Sequence, residues 1–114
     1  MEINKELLKG STQMMILKLL ETEDLYGYKM IKKLSEKSQN IFNLKEGTLY
    51  PILHELEKSQ LVETYWENTE STRKRKYYKI TTKGKKVLKK KKVEWDRYIE
   101  GINNLFMEVR CENV

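Results

Sequence analysis

The sequence predicts a mainly α chain with one small β-hairpin: short helices first, then the hairpin, then a long last helix. Three observations carry that expectation. Apolar residues recur at helical spacing as far as Leu56. Between Leu61 and Thr81 the chain switches to two runs of β-branched and aromatic residues around a polar middle. From Leu88 onward, apolar residues fall on strict heptad spacing.

Lys5 to Glu21 reads as the first helix. Leu7, Leu8, Met14, Met15, Leu17, Leu19 and Leu20 give it an apolar surface too wide for one core contact. Asp24 is placed to cap a second helix, Leu25 to about Lys37, with Tyr28, Ile31 and Leu34 as its buried face and Met30 alongside. Lys29, Lys32, Lys33 and Lys37 are expected to be exposed. Asn43 looks like the N-cap of a third helix, with Glu46 completing a capping box and Leu49, Ile52, Leu53 and Leu56 as the buried stripe. Pro51 removes a backbone donor and predicts a kink. Leu61–Trp66 and Lys76–Thr81 read as the two strands of the hairpin. No glycine lies in the connection, so a longer loop is expected rather than a two-residue turn. Thr82 to about Cys111 reads as the last helix. Its heptad positions are Leu88, Trp95, Tyr98, Ile102, Leu105 and Val109, with Lys91 the one polar member. A chain of 114 residues has little left to cover such a stripe, so these residues are expected to form a dimer interface between two copies.

Charge is segregated. Between Arg73 and Lys92 there are twelve Lys or Arg and no Asp or Glu, while the other residues carry eleven basic and seventeen acidic side chains. The whole net charge of +6 therefore comes from one twenty-residue window. A basic stripe on an otherwise acidic body is the electrostatic footprint of a polyanion-binding protein. The single cysteine, Cys111, excludes an internal disulfide and fits a reducing compartment, so a cytoplasmic location is expected. No run approaches the roughly 18 apolar residues of a membrane span, and the N-terminus lacks the pattern of a secretory signal.

Catalysis and metal chemistry are not expected. One histidine, His54, and one cysteine give no zinc-ligand spacing, and the five glycines are too scattered for a phosphate loop. No cofactor is expected.

Helices followed by a hairpin in this order make a winged helix-turn-helix. In such modules the third helix enters the major groove, about 12 Å wide, and its N-terminal side chains meet base edges. Those positions hold Lys45, Thr48, Leu49 and Tyr50, with Glu46 between them. The hairpin forms the wing, where Arg73, Lys74, Arg75 and Lys76 can reach the minor groove or phosphates. Double-stranded DNA is the expected partner. On this reading residues 1–81 form the DNA-binding domain, with helix 5–21 also contributing to the dimer, and residues 82–114 form the dimerisation helix. Two rivals use the same features: a protein-interaction module built on the heptad helix, and an RNA-binding winged helix.

Several segments also carry a resemblance. Leu25-Tyr26-Gly27-Tyr28, Glu46-Gly47-Thr48-Leu49-Tyr50-Pro51-Ile52-Leu53, Leu56-Glu57-Lys58 and Arg75-Lys76-Tyr77-Tyr78-Lys79-Ile80-Thr81-Thr82-Lys83-Gly84 resemble the PadR family of bacterial transcriptional regulators. The resemblance runs from about Leu7 to Trp95. It implies a winged helix with a dimerising C-terminal helix, and repression of nearby genes. The short chain is similar to a subfamily whose members bind flat hydrophobic compounds between paired tryptophans at the dimer centre. Trp95 matches that tryptophan, with Lys91 and Ile99 one turn to either side. Gly10, Gln13, Met14 and Leu17 match positions that line the pore. A small aromatic or hydrophobic effector is thus implied. Lys91 departs from an apolar lining, and would select acidic ligands or close the pore.

Overall fold

In a computed structural model, residues 10–70 and 73–107 are described. Their elements are α1 (Thr12–Thr22), β1 (Leu25–Tyr26), α2 (Gly27–Lys37), α3 (Glu46–Lys58), β2 (Val62–Asn68), β3 (Lys74–Ile80) and α4 (Thr82–Phe106). The mainly α chain with a β-hairpin is observed: a winged helix followed by one long helix.

The core forms where the helices and the root of the hairpin meet. Ile16, Leu17 and Leu20 of α1, Met30 and Leu34 of α2, Leu49, Leu53 and Leu56 of α3, Val62 and Ile80 of the hairpin and Leu88 of α4 are all buried. Each such side chain removed from water contributes about 2 kcal/mol.

Helix boundaries depart from the sequence expectations for identifiable reasons. The first helix is described only from Thr12, with Gly10 and Ser11 in a turn before it; its expected start at Lys5 lies outside the described residues. Asp24 does not cap α2. Leu25 and Tyr26 pair with Tyr78 and Tyr77 instead, adding a third strand in the order β1-β3-β2. The helix therefore starts at Gly27, and its buried face is Gly27, Met30 and Leu34, with Ile31 half-buried. Tyr28, expected inside, lies about a quarter-turn away and is 63% exposed. Of the lysines expected at the surface, Lys29 and Lys33 are half-buried, Lys33 donating to Glu23 at 2.9 Å.

Nor does Asn43 cap α3. Its side chain is engaged across the α2–α3 linker, accepting from Ser35 Oγ at 2.8 Å and donating to the Asn40 carbonyl at 2.8 Å. Lys45 is the N-cap residue, without a side-chain cap. The helix runs unbroken through Pro51, which is exposed.

The hairpin is longer than expected at its tip. Its register runs from Val62 opposite Ile80 to Asn68 opposite Lys74. The turn into α4 is built around Thr81. Its hydroxyl donates to the Gln60 carbonyl at 2.8 Å and accepts from Gly84 N–H at 2.9 Å, which caps the helix. Gly84 is required there: a Cβ would collide with the Leu61 carbonyl oxygen, and would stand 2.8 Å from Ile80 Cγ1. This close approach seats the start of α4 on the root of the wing.

Candidate nucleic-acid interface

At the start of α3, the Thr48 and Leu49 amides both donate to the Lys45 carbonyl, at 3.0 Å each. That first turn sets which side chains point outward. Lys45, Glu46, Gly47 and Thr48 are exposed. Leu49 is 0% exposed, so its assignment to base contact is corrected: it anchors the helix in the core. Tyr50 divides its roles. Its ring is 46% exposed, but its hydroxyl end lies against the backbone of Gly27, where any Cβ would overlap it. Glycine at 27 therefore lets α2 and α3 pack closely at this corner, and Tyr50 fixes the reading end of α3. His54 is exposed, further along the same helix.

The four basic residues of the wing do not act as one patch. Strand side chains alternate between faces. Lys74 and Lys76 point to the helix side of the sheet and Arg75 to the outer side. Lys76 is already engaged, 3.6 Å from Glu57 Oε1 of α3, and its ammonium lies 5.5 Å from the Tyr78 ring centre. Burial and the Glu57 charge push the Tyr78 hydroxyl above its ordinary value. Thr64 also donates to Glu57, at 3.1 Å. Glu57 thus joins α3 to the wing. On the outer face Arg75 stacks 4.4 Å above the Tyr26 ring. Tyr26 packs edge-on against Tyr77, which stacks on Tyr65, both with centroids 5.5 Å apart. The Tyr65 hydroxyl donates to Asp24 Oδ2 at 2.7 Å. Arg73 and Lys74 are exposed at the tip, and the Arg73 carbonyl accepts from the Thr69 hydroxyl at 2.7 Å.

The residues expected at a dimer centre separate into two groups. Leu88 is 5% exposed and belongs to the core of its own protomer, which corrects its assignment to the interface. Leu17 is 0% exposed, so it is core rather than pore lining. Gly10 is exposed, in the turn before α1, while Gln13 and Met14 are half-buried on α1. On α4, Lys91, Trp95, Ile99 and Ile102 are half-buried, whereas Tyr98 and Leu105 are 60% and 80% exposed. Trp95 and Tyr98 lie side by side, ring centres 5.8 Å apart. Val109 lies outside the described residues. A groove of about 580 Å³ runs between α1 and α4 over Met14, Met15, Leu88 and Val93, rimmed by lysines. Of the expected effector-binding residues it includes Met14 alone.

Among the described residues no group of acidic, histidine or cysteine side chains could hold a metal ion, and no helix is long and apolar enough to cross a membrane.

The fold, with the first turn of α3 exposed beside the hairpin, is that of a winged-helix transcriptional regulator. The family model for the PadR-like transcriptional regulators matches residues 16–90, and the chain belongs to that family. It is a regulator rather than an enzyme. A protein of Lysinibacillus sphaericus is 36% identical over 106 residues, covering 93% of this chain and 96% of that one. A transcriptional regulator from Clostridium thermocellum has a similar structure, with a TM-score of 0.83 and 35% identity over 91% of this chain and all of that one. The PadR-like transcriptional regulator of Bacillus cereus superposes with a TM-score of 0.79 at 33% identity, covering 91% of this chain and 99% of that one.

Proposed function

We propose that the protein is a repressor that binds a pseudo-palindromic operator as a homodimer. The observation that carries this reading is the exposed first turn of α3, with Lys45 and Thr48 facing solvent, beside a wing that presents Arg73, Lys74 and Arg75. Thr48 offers a hydroxyl and a methyl to base edges, Lys45 meets a phosphate, and Tyr50 holds the helix end in position. Lys76, neutralised by Glu57, stiffens the wing more than it attracts DNA. The dimer joins through the apolar row Trp95, Tyr98, Ile102 and Leu105 of α4, which sets two reading helices about 34 Å apart. A flat hydrophobic effector between the two Trp95 rings, flanked by Lys91 and Ile99 and reached from Gln13 and Met14, would change that spacing and release the DNA.

The test is fluorescence anisotropy with DNA from upstream of the protein's own coding region, against scrambled duplex, over a salt series. Sequence-preferring binding with a log–log salt slope of about −5 to −9, for about 6–10 phosphate contacts, is the expected result. Equal, weak binding to both duplexes overturns the operator reading. Stronger competition by RNA than by DNA favours the RNA-binding rival.

A further inference from the structure

Trp66 is 63% exposed, and neither the core nor the assignments above use it. Its place in the wing is well defined. Val62, Thr64, Trp66 and Asn68 share one face of β2, opposite Ile80, Tyr78, Lys76 and Lys74 of β3. At the root of that face Val62, Ile80 and Tyr78 are 2–5% exposed, covered by the helices. One step further out on β2, Thr64, opposite Tyr78, donates to Glu57 at the C-terminal end of α3, and Lys76, opposite Trp66, pairs with the same carboxylate. Trp66 stands directly opposite Lys76, where the cover of the helices ends. An exposed indole therefore sits on the side of the wing that faces α3, just beyond the contact that Glu57 makes with the wing.

On the face of the hairpin that carries Trp66, the strand charges are basic. Lys76 lies across from Trp66, and Lys74 continues the same face toward the tip. The carboxylate of that face, Glu57, is taken up by Lys76 and Thr64. Glu67 points to the other face, opposite Arg75. An indole has a broad apolar face and a single N–H donor. A deoxyribose edge with its phosphate presents the matching pair, an apolar ring and an anionic acceptor, and phosphate and sugar contacts set the register of a protein on a duplex.

We infer that Trp66 is a DNA-contacting residue: its ring packs on the sugar–phosphate backbone beside the groove that α3 enters, with its N–H directed to a phosphate. This rests on the DNA-binding reading above. It adds an apolar backbone contact to a wing otherwise read by its positive charge. Because the contact is to backbone, it strengthens binding to any duplex and leaves the preference for one sequence unchanged. Unlike Lys74 or Arg73, it adds affinity with little change in the salt slope, since a neutral ring releases no counterion.

The test compares the wild type, Trp66→Ala and Trp66→Phe by anisotropy on the upstream duplex and on its scrambled counterpart, over the same salt series. Removal of an interface aromatic is expected to weaken binding about tenfold on both duplexes, with the salt slope unchanged. Phe, which keeps a ring but loses the donor, falls between the two. Tryptophan emission of the wild type should change on adding DNA, and that change should be absent in Trp66→Phe. Thermal melts and light scattering of the free proteins accompany the titration. Trp66 is mostly exposed, so both variants should melt near the wild type and keep its oligomeric state. Wild-type binding with equal affinity in Trp66→Ala overturns the inference and leaves the DNA-binding reading standing. Loss confined to the upstream duplex overturns the backbone assignment in favour of base reading. A shift of Trp66→Ala to a smaller species makes the ring part of a protein interface and also overturns it. Failure of the wild type to bind either duplex overturns both readings.

Discussion

The two halves of α4 carry one heptad pattern and have opposite surroundings. Leu88, in the first half, is 5% exposed beneath α1 and the root of the wing. Leu105, on the same spacing, is 80% exposed, and Phe106 beside it 83%. Between them the helix leaves the domain: the molecule measures 71 × 32 × 21 Å, with a radius of gyration of 17.4 Å against about 13 Å for a compact chain of this length. The contrast teaches that an apolar period says a stripe will be covered, not what covers it. In the first half the cover is the chain's own core. In the second half no element among the described residues covers Leu105 or Phe106, and the residues from Trp95 on also lie beyond the 16–90 span matched by the family. A second copy of the same helix has the matching period.

The sharpest way to break this comparison is to truncate one leucine from each half. Leu88→Ala opens a cavity in the protomer core and should lower stability by about 3 kcal/mol in urea unfolding. Leu105→Ala should leave the unfolding of a diluted, monomeric sample within about 0.5 kcal/mol of the wild type. In sedimentation equilibrium the order reverses: Leu105→Ala should raise the dimer dissociation constant about tenfold, roughly 1.4 kcal/mol. Equal loss of stability in the two variants would mean that the distal half of α4 folds back onto its own domain.

A smaller effect tests how the first half is seated. Gly84→Ala puts a methyl group into the Leu61 carbonyl, a backbone atom that cannot swing aside. The wing root and the helix must then separate, at about 2 kcal/mol of stability. The substitution should also weaken DNA binding, because it shifts the wing relative to α3. Gly101→Ala in the distal half is the control. A Cβ there meets nothing within 4 Å, and alanine favours the helix by about 1 kcal/mol over glycine, so that variant should be more stable than the wild type.

What was legible in the sequence follows the same division between local and non-local causes. The helices, the hairpin and the long last helix are written in spacing and β-propensity, which are local. So was the exposed first turn of α3, from its place in the order of elements. The boundaries went wrong where a distant residue competes for a local signal. Asp24 has the chemistry of a cap, but Tyr65, forty-one positions away, donates to its carboxylate, and β1 forms because β3 is there to pair with it. Asn43 is drawn away by nearer partners, Ser35 and Asn40, which the linker folds onto its side chain. Leu49 lies on the buried stripe that its spacing predicted, and its second assignment, to base contact, fails because a side chain on that stripe faces the core. It stands four residues before Leu53 and seven before Leu56, on the same helix face. Glu57 stands in a segment that carries the family resemblance, but its role was not legible there, because that role exists only where β2 returns alongside α3.

The smallest predicted effect comes from the outer face of the wing and is visible only in alkaline solution. The hydrogen bond to Asp24 and, after it, desolvation push the Tyr65 hydroxyl up to about 12, from an ordinary value near 10. A raised value in the folded state means that the folded chain holds its proton where the unfolded chain has lost it. The stabilisation is therefore complete below pH 10 and disappears as pH rises from 10 toward 12. Chemical denaturation of the wild type across that window should show stability falling with pH, and Tyr65→Phe should flatten this component of the slope while the other tyrosines retain theirs. Because the phenol is at the surface, the difference will be small. It is still diagnostic, for the bond joins β2 to the segment before β1, and its loss should loosen the three-stranded sheet without touching either half of α4. An unchanged slope in Tyr65→Phe would show that Asp24 and Tyr65 are not bonded in solution, and that β1 is held to the wing by its backbone pairing and by the packing of Tyr26 on Tyr77 alone.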